Sequence, residues 1–158
     1  MEFISKITPE KKKKRELKYS LYTNGKVENN IGGWAVIILD KNEQKYVLSG
    51  KEDNSNNNRM ELYSIVEGLN WIYTSVEPRY RKYISVNLYT DNPYCINIIR
   101  EWLNKWKDDL NVRPNTDLLI QLLELNTKIK LDTKWIPRVY NEYSWSVDRI
   151  TNERINEP

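Results

Sequence analysis

Two apolar runs in this chain end in the same way. Leu88-Tyr89-Thr90 stops at Asp91-Asn92, and Leu21-Tyr22-Thr23 stops at Asn24-Gly25, with an amide where the other has an acid. Between them lies Asn56-Asn57-Asn58-Arg59-Met60-Glu61-Leu62, a polar turn that runs into a helix and carries Glu61 in its opening turn. Oxygen ligands brought from several elements to the carboxyl ends of strands are what two-metal hydrolysis of a phosphodiester requires. Singly, these residues have ordinary uses: Asp91 can cap a helix opening at Pro93, and Glu61 suits the positive end of a helix. Their joint placement on neighbouring elements is what points to chemistry.

The rest of the composition narrows the options. The chain has 158 residues, enough for one domain with a full core. It has no histidine, which removes Ser-His and Cys-His nucleophile systems and the usual zinc sites. Its single cysteine, Cys95, excludes an internal disulfide and fits a reducing compartment. No apolar run approaches a membrane span and no secretory leader is visible, so an intracellular protein, cytoplasmic or nuclear, is expected. The net charge is +3. Residues 1–18 hold seven Lys/Arg against three Glu, so that segment carries +4 and the remainder −1. The run Lys11, Lys12, Lys13, Lys14, Arg15 reads as a basic tail over residues 1–15, suited to a polyanion or to an import signal, or simply solvated. Residues 16–158 read as the folded domain.

Hydrophobic periodicity supplies the elements that must position those groups. Glu16–Thr23 alternates as a first strand, Gly33–Leu39 is the continuous apolar run of a strand buried on both faces, and Gln44–Ser49 is a third strand. These predict an antiparallel meander. From Met60 to Val76 apolar residues recur at helical spacing until Pro78 stops them. Tyr83–Tyr89 is strand four, and Asp91-Asn92-Pro93 opens a second helix. Trp102–Pro114 reads as a basic-aromatic loop or short helix, Thr116–Leu125 as a helix, Ile129–Ile136 as strand five and Ser144–Ile155 as a last helix. The crossover through the long helix places strand four parallel to strand one. The expected fold is α/β: a five-stranded mixed sheet, strands 1–3 an antiparallel meander followed by parallel strands 4 and 5, with helices on both faces.

Leu-Tyr-Thr-Asn-Gly, Gly32-Gly33-Trp34, Asn57-Asn58-Arg59-Met60-Glu61-Leu62 and Tyr89-Thr90-Asp91, in this order, resemble the successive motifs of the cellular type-one ribonuclease H family. The resemblance runs from about Lys18 to Asn152. It implies a monomeric endonuclease that cuts the RNA strand of RNA/DNA hybrids with two Mg²⁺ ions, Mn²⁺ being a substitute. Matched by motif, the catalytic and metal-holding set is Asn24, Glu61, Asp91 and Asp148, the last from Ser-Val-Asp-Arg-Ile. The resemblance also implies that Gly25, Asn57, Asn58, Arg59 and Asn92 lie against the nucleic acid. Trp102, Lys105, Trp106 and Lys107 fall where the family carries a basic, Trp-containing handle, although core packing is an equally ordinary use for the tryptophans.

Two departures stand out. The family has Asp where this chain has Asn24. A neutral amide with one good oxygen should hold metal poorly. Asn24 is then either an inactivating change in an otherwise competent enzyme, which the intact remaining motifs favour, or the mark of a natural, catalytically weak relative. The family's mobile histidine is also missing from Trp135–Asn141, where Arg138 or Glu142 stands nearby without an assigned role. Competing readings are a hybrid-binding module without catalysis, and a Holliday-junction resolvase or other nuclease on the same fold.

Overall fold

The computed structural model describes residues 16–158; the basic run Lys11–Arg15 lies outside the described residues. The sheet has five strands: β1 (Leu17–Glu28), β2 (Ile31–Leu39), β3 (Lys45–Asp53), β4 (Ile84–Thr90) and β5 (Lys130–Trp135). Their order across the sheet is β3-β2-β1-β4-β5. β1, β2 and β3 are antiparallel, while β4 runs parallel to β1 and β5 parallel to β4. The expected mixed sheet is therefore present.

The helices are α1 (Asn57–Ser75), α2 (Pro93–Asn97), α3 (Leu103–Trp106), α4 (Thr116–Lys128) and α5 (Glu142–Ile155). A single π-helical stretch, Ile98–Trp102, joins α2 to α3 and turns Ile98 and Ile99 inward. Short 3₁₀ turns occupy Pro78–Tyr83 and Leu110–Val112. The larger core packs one sheet face against α1, α2 and α4, through residues such as Leu21, Val36, Leu62, Leu69, Leu88 and Leu119. The smaller lies under α5 and gathers Tyr22, Ala35, Ile37, Leu39, Ile136 and Val147. β2 alternates between the two, which is why its sequence is apolar without interruption.

The boundaries correct several expectations. β1 does not stop at Thr23-Asn24; it continues to Glu28, paired with β2 all the way to Glu28↔Ile31. Asn29 and Asn30 close that hairpin with φ of 51° and 64°, the left-handed values a two-residue turn needs and Asn tolerates. The parallel pairing of β1 with β4 ends earlier, at Tyr22↔Tyr89. Asn24 therefore sits inside an antiparallel ladder but just beyond the end of the parallel one. β2 and β3 are each longer than the sequence reading, and α1 begins at Asn57 rather than Met60, capped by Asn56, whose side chain accepts from Arg59 N–H. α5 begins at Glu142, because Asn141 and Ser144 form a reciprocal capping box that also takes in the residues expected to be loop.

Candidate active site

The four expected residues lie at one end of the sheet, on four elements. Thr23 and Thr90 follow the last β1–β4 pair; Asn24 comes next within β1, and Asp91 comes just after β4 ends. α1 crosses β1 at Gly25. A Cβ on Gly25 would lie 2.3 Å from the Met60 carbonyl carbon and 2.4 Å from the Glu61 nitrogen, so only glycine permits this approach. The crossing delivers Glu61 against Gly25 within β1, where the Gly25 N–H favours the charged form of its carboxyl. α5 lies against β1 and β2 and carries Asp148 to the same place.

The pairwise geometry is specific. Asn24 Nδ2 donates to Asp148 Oδ1 at 3.1 Å. Lys26 Nζ stands 3.6 Å from the same oxygen. Arg138 Nε reaches Asp91 Oδ2 at 3.4 Å. Asn24 is 5% and Glu61 4% exposed, so both are fixed by packing. Burial, followed by the charge of Asp91, pushes the Glu61 carboxyl well above the usual range, while the Gly25 N–H and Arg138 oppose the shift. Two buried oxygens at this end have no hydrogen-bond partner: Glu61 Oε2 and Thr23 Oγ1. Beneath them Cys95 is fully buried, and its thiol is pushed up by burial and then by Glu61 and Asp91.

An open cleft runs over this cluster, lined by Asn24, Asp91, Arg138 and Asp148 and walled by Tyr22 and Tyr89. The two tyrosine rings stack with centroids 4.7 Å apart, and Tyr22 Oη accepts from Asn141 Nδ2. Among the described residues, no three Asp, Glu, His or Cys side chains gather closely enough to make a ready metal centre. The acids are instead engaged one by one: Asp148 with Asn24 and Lys26, Asp91 with Arg138. An amide at position 24 supplies a donor where a fourth carboxylate would supply repulsion.

The other expected contact residues divide. Asn57 Oδ1 accepts from Val27 N–H at 2.8 Å, tying α1 to β1, and Asn58 Oδ1 lies 3.5 Å from Asn92 Nδ2. Asn92 also caps α2 through Cys95 N–H. Arg59 is committed elsewhere: its guanidinium binds Glu52 at 2.7 Å on β3 and Asp117 at 2.9 and 3.0 Å on α4. Trp102 and Trp106 stack on each other at 5.2 Å, Arg113 covers Trp106 at 4.3 Å, and both rings pack against the larger core. The handle is also charge-balanced, because Lys105 binds Glu101, Arg113 binds Asp109, and Lys107 precedes Asp108. Sequence reasoning missed Lys26 and Thr23. Lys26 could have been found: it is two residues beyond Asn24 on one strand, hence on the same face.

The family model for RNase H matches residues 16–142. The chain belongs to the RNase H family. A ribonuclease H from Thermoanaerobacter sp. (strain X514) is 37% identical over 147 residues, covering 85% of this chain and 88% of that protein. Among solved structures, LC9-RNase H1, a type 1 RNase H with the type 2 active-site motif, superposes with a TM-score of 0.75 at 16% identity, over 89% of this chain and 72% of that one. LC11-RNase H1, solved in complex with RNA/DNA hybrid, gives a TM-score of 0.64 at 19% identity, over 87% and 96%. Asp148 falls beyond the stretch of this RNase H that the family model matches, so its place in the cluster rests on the 3.1 Å contact with Asn24. Among the described residues, no helix is long and apolar enough to cross a membrane.

Proposed function

We propose that this RNase H binds RNA/DNA hybrid across the cleft between Asp91 and Asp148, and that Asn24 leaves it weak or inactive as a nuclease. The observation that carries this reading is the convergence of Asn24, Glu61, Asp91 and Asp148 from four elements onto one sheet end, with Asn24 hydrogen-bonded to Asp148 at 3.1 Å. The family and the hybrid-bound relative support the substrate class.

The residues fit hard divalent cations in kind. Every donor is an oxygen, and Glu61 Oε2 is buried with no partner, a costly arrangement unless a cation or water completes it. Glu61, Asp91 and Asp148 would hold Mg²⁺, with Mn²⁺ a substitute, and Asn24 would offer only its amide oxygen. When bound, a pair of such ions activates a water and stabilises the leaving oxygen of the phosphodiester. The chain's own groups do the rest. The close packing of α1 on Gly25 and the burial of the side chain hold Glu61 in one orientation. Arg138, at the mouth, is placed to meet a phosphate once Asp91 is otherwise occupied. Asn58, exposed, and Asn92, half-buried beside Asp91, can donate to and accept from a 2′-hydroxyl and a base edge.

One observation favours binding without cleavage in this form. The Asn24–Asp148 bond satisfies the centre of the site internally, and an amide is neutral at every ordinary pH. Cleavage assays with RNA/DNA hybrid, double-stranded RNA and a four-way junction, run on this chain and on Asn24→Asp, separate the readings. Cutting confined to the hybrid and gained in Asn24→Asp supports the proposal. Cutting of the junction, or no gain in Asn24→Asp, overturns it.

A further inference from the structure

The opposite end of the sheet carries a second concentration of charge, of the other sign. Leu17 pairs with Ile84 and Ser85 with Lys130, so the starts of β1, β4 and β5 lie side by side. The 3₁₀ turn Pro78–Tyr83, reading Pro-Arg-Tyr-Arg-Lys-Tyr, leads directly into β4 there, and α4 ends there at Lys128. Among the described residues, Lys18, Arg79, Arg81, Lys82, Lys128 and Lys130 meet only Glu16, Glu77 and Glu124 as ion partners. Glu16 is shared by Lys18 and Lys130, at 3.9 and 3.7 Å. Lys82 has no carboxylate partner among the described residues; it lies 5.3 Å over the Tyr83 ring.

Like charges are held together here by aromatic rings. Arg81 lies 4.5 Å and Lys128 5.4 Å over the single ring of Tyr73. Arg81 is further fixed by donating to the carbonyls of Tyr73 and Val76 at the end of α1. Arg79 covers one face of Tyr80 at 4.7 Å, and Tyr80 remains 43% exposed. An exposed aromatic face set among six cations that share three carboxylates is the arrangement that takes a base by stacking and its phosphates by the excess charge.

We propose that this face, formed by Arg79, Tyr80, Lys82, Lys128 and Lys130, binds single-stranded nucleic acid, separately from the acid-lined cleft at the other end. The parallel strands separate the two sites by the full length of β4, seven residues or about 23 Å at the usual rise. One strand can therefore occupy the basic face while the cleft is free or filled. The proposal does not depend on which substrate the cleft takes. In sequence, five further cations, Lys11–Arg15, immediately precede this end.

The test measures binding of a fluorescein-labelled oligothymidylate of about ten nucleotides, a length in the usual range for one small domain. The chain as it stands is compared with Tyr80→Ala, with the triple change Arg79→Glu, Lys82→Glu, Lys130→Glu, and with Lys51→Glu, Arg149→Glu, on β3 and α5 away from this face, as a charge control. Tyr80→Ala should weaken binding about fivefold or more. The triple change should weaken it at least tenfold and lower the slope of log K against log[salt] by about 2, at roughly 0.7 for each lost phosphate contact. The control should stay within about twofold, as expected of a change away from the contact. Circular-dichroism melts check that each variant folds. In the unsubstituted chain, the oligonucleotide should protect Lys82 and Lys130 from acetylation, which requires no variant. Unchanged affinity and slope in folded variants would overturn the proposal. So would an equal loss in the control, or tight binding to phosphatidylserine-containing vesicles with none to the oligonucleotide.

Discussion

The two ends of this sheet solve opposite problems with the same strands. Around Asn24 and Asp91 the important side chains are buried or half-buried, and Asn24, Asp91 and Asp148 each have a named neighbour within hydrogen-bonding or ion-pairing range. At the amino ends cations from turns and helix termini outnumber their carboxylate partners, and aromatic rings help to gather them. The difference shows what a reacting site needs that a binding face does not. Chemistry needs backbones brought into close approach, so the cleft depends on a glycine. Electrostatic capture needs reach and exposure, so the basic end tolerates long, solvated side chains.

That contrast can be broken most violently at Gly25. Gly25→Ala forces a Cβ into the α1 backbone, where neither partner can yield as a flexible side chain would. It should cost about 3 kcal/mol or more, read from chemical denaturation, and should misplace Glu61. An alanine at Tyr80, by comparison, should leave the melt nearly unchanged. Equal melts for the two variants would mean that α1 does not cross β1 this closely.

A second change acts on chemistry alone. In the Asn24→Asp background, Asp91→Asn should reduce cleavage by more than the roughly 10–100-fold that loss of an outer-shell partner costs, while hybrid affinity barely moves. Collapse of binding in a folded variant would make Asp91 a nucleic-acid contact instead.

Smaller effects sharpen the roles around the cleft. Asn57→Ala removes the acceptor for Val27 N–H, and should lower stability by about 1 kcal/mol without changing the ratio of hybrid to duplex-DNA affinity. Asn58→Ala should do the reverse. The same shift in that ratio for both would return Asn57 to the recognition surface. The smallest effect concerns the clamp behind α1. The hydrogen bond from Arg59 lowers the Asp117 pKa below its ordinary value. A depressed folded pKa means stability that is present above the unfolded value, about 3.9, and is lost as pH falls through the folded one. Asp117→Asn should flatten the acid limb of the stability profile, and an unaltered limb would remove the clamp from the account.

Much of this arrangement was legible in the sequence, for physical reasons that can be named. Period-two and period-3.6 apolar patterns gave the five strands and the long helix. Asp91 could be placed because Asn92-Pro93 marks a helix start directly after a strand. Asn24 was read as a strand end because Asn-Gly usually breaks a strand; the continuation to Glu28 depends on pairing with β2, a tertiary fact. The resemblance places Arg59 against the nucleic acid; its ion pairs with Glu52 and Asp117, which arrive from β3 and α4, have no local sequence signature. The π-helical turn at Ile98–Trp102 likewise has no signature in an apolar pattern that suits an α-helix equally well. Charge balance in the handle is visible in Asp108 and Asp109, which stand next to Lys107 in sequence.

The central claim is that the carboxylate end is a nuclease site weakened at one position. Its most direct test is the rate of Mg²⁺-dependent RNA cleavage in a labelled RNA/DNA hybrid, measured side by side for this chain and for Asn24→Asp. With the carboxylate in place, cleavage should rise by about two orders of magnitude or more, beyond what an outer-shell change would give. Equal rates for the two forms, with both folded and both binding the hybrid, would contradict the account.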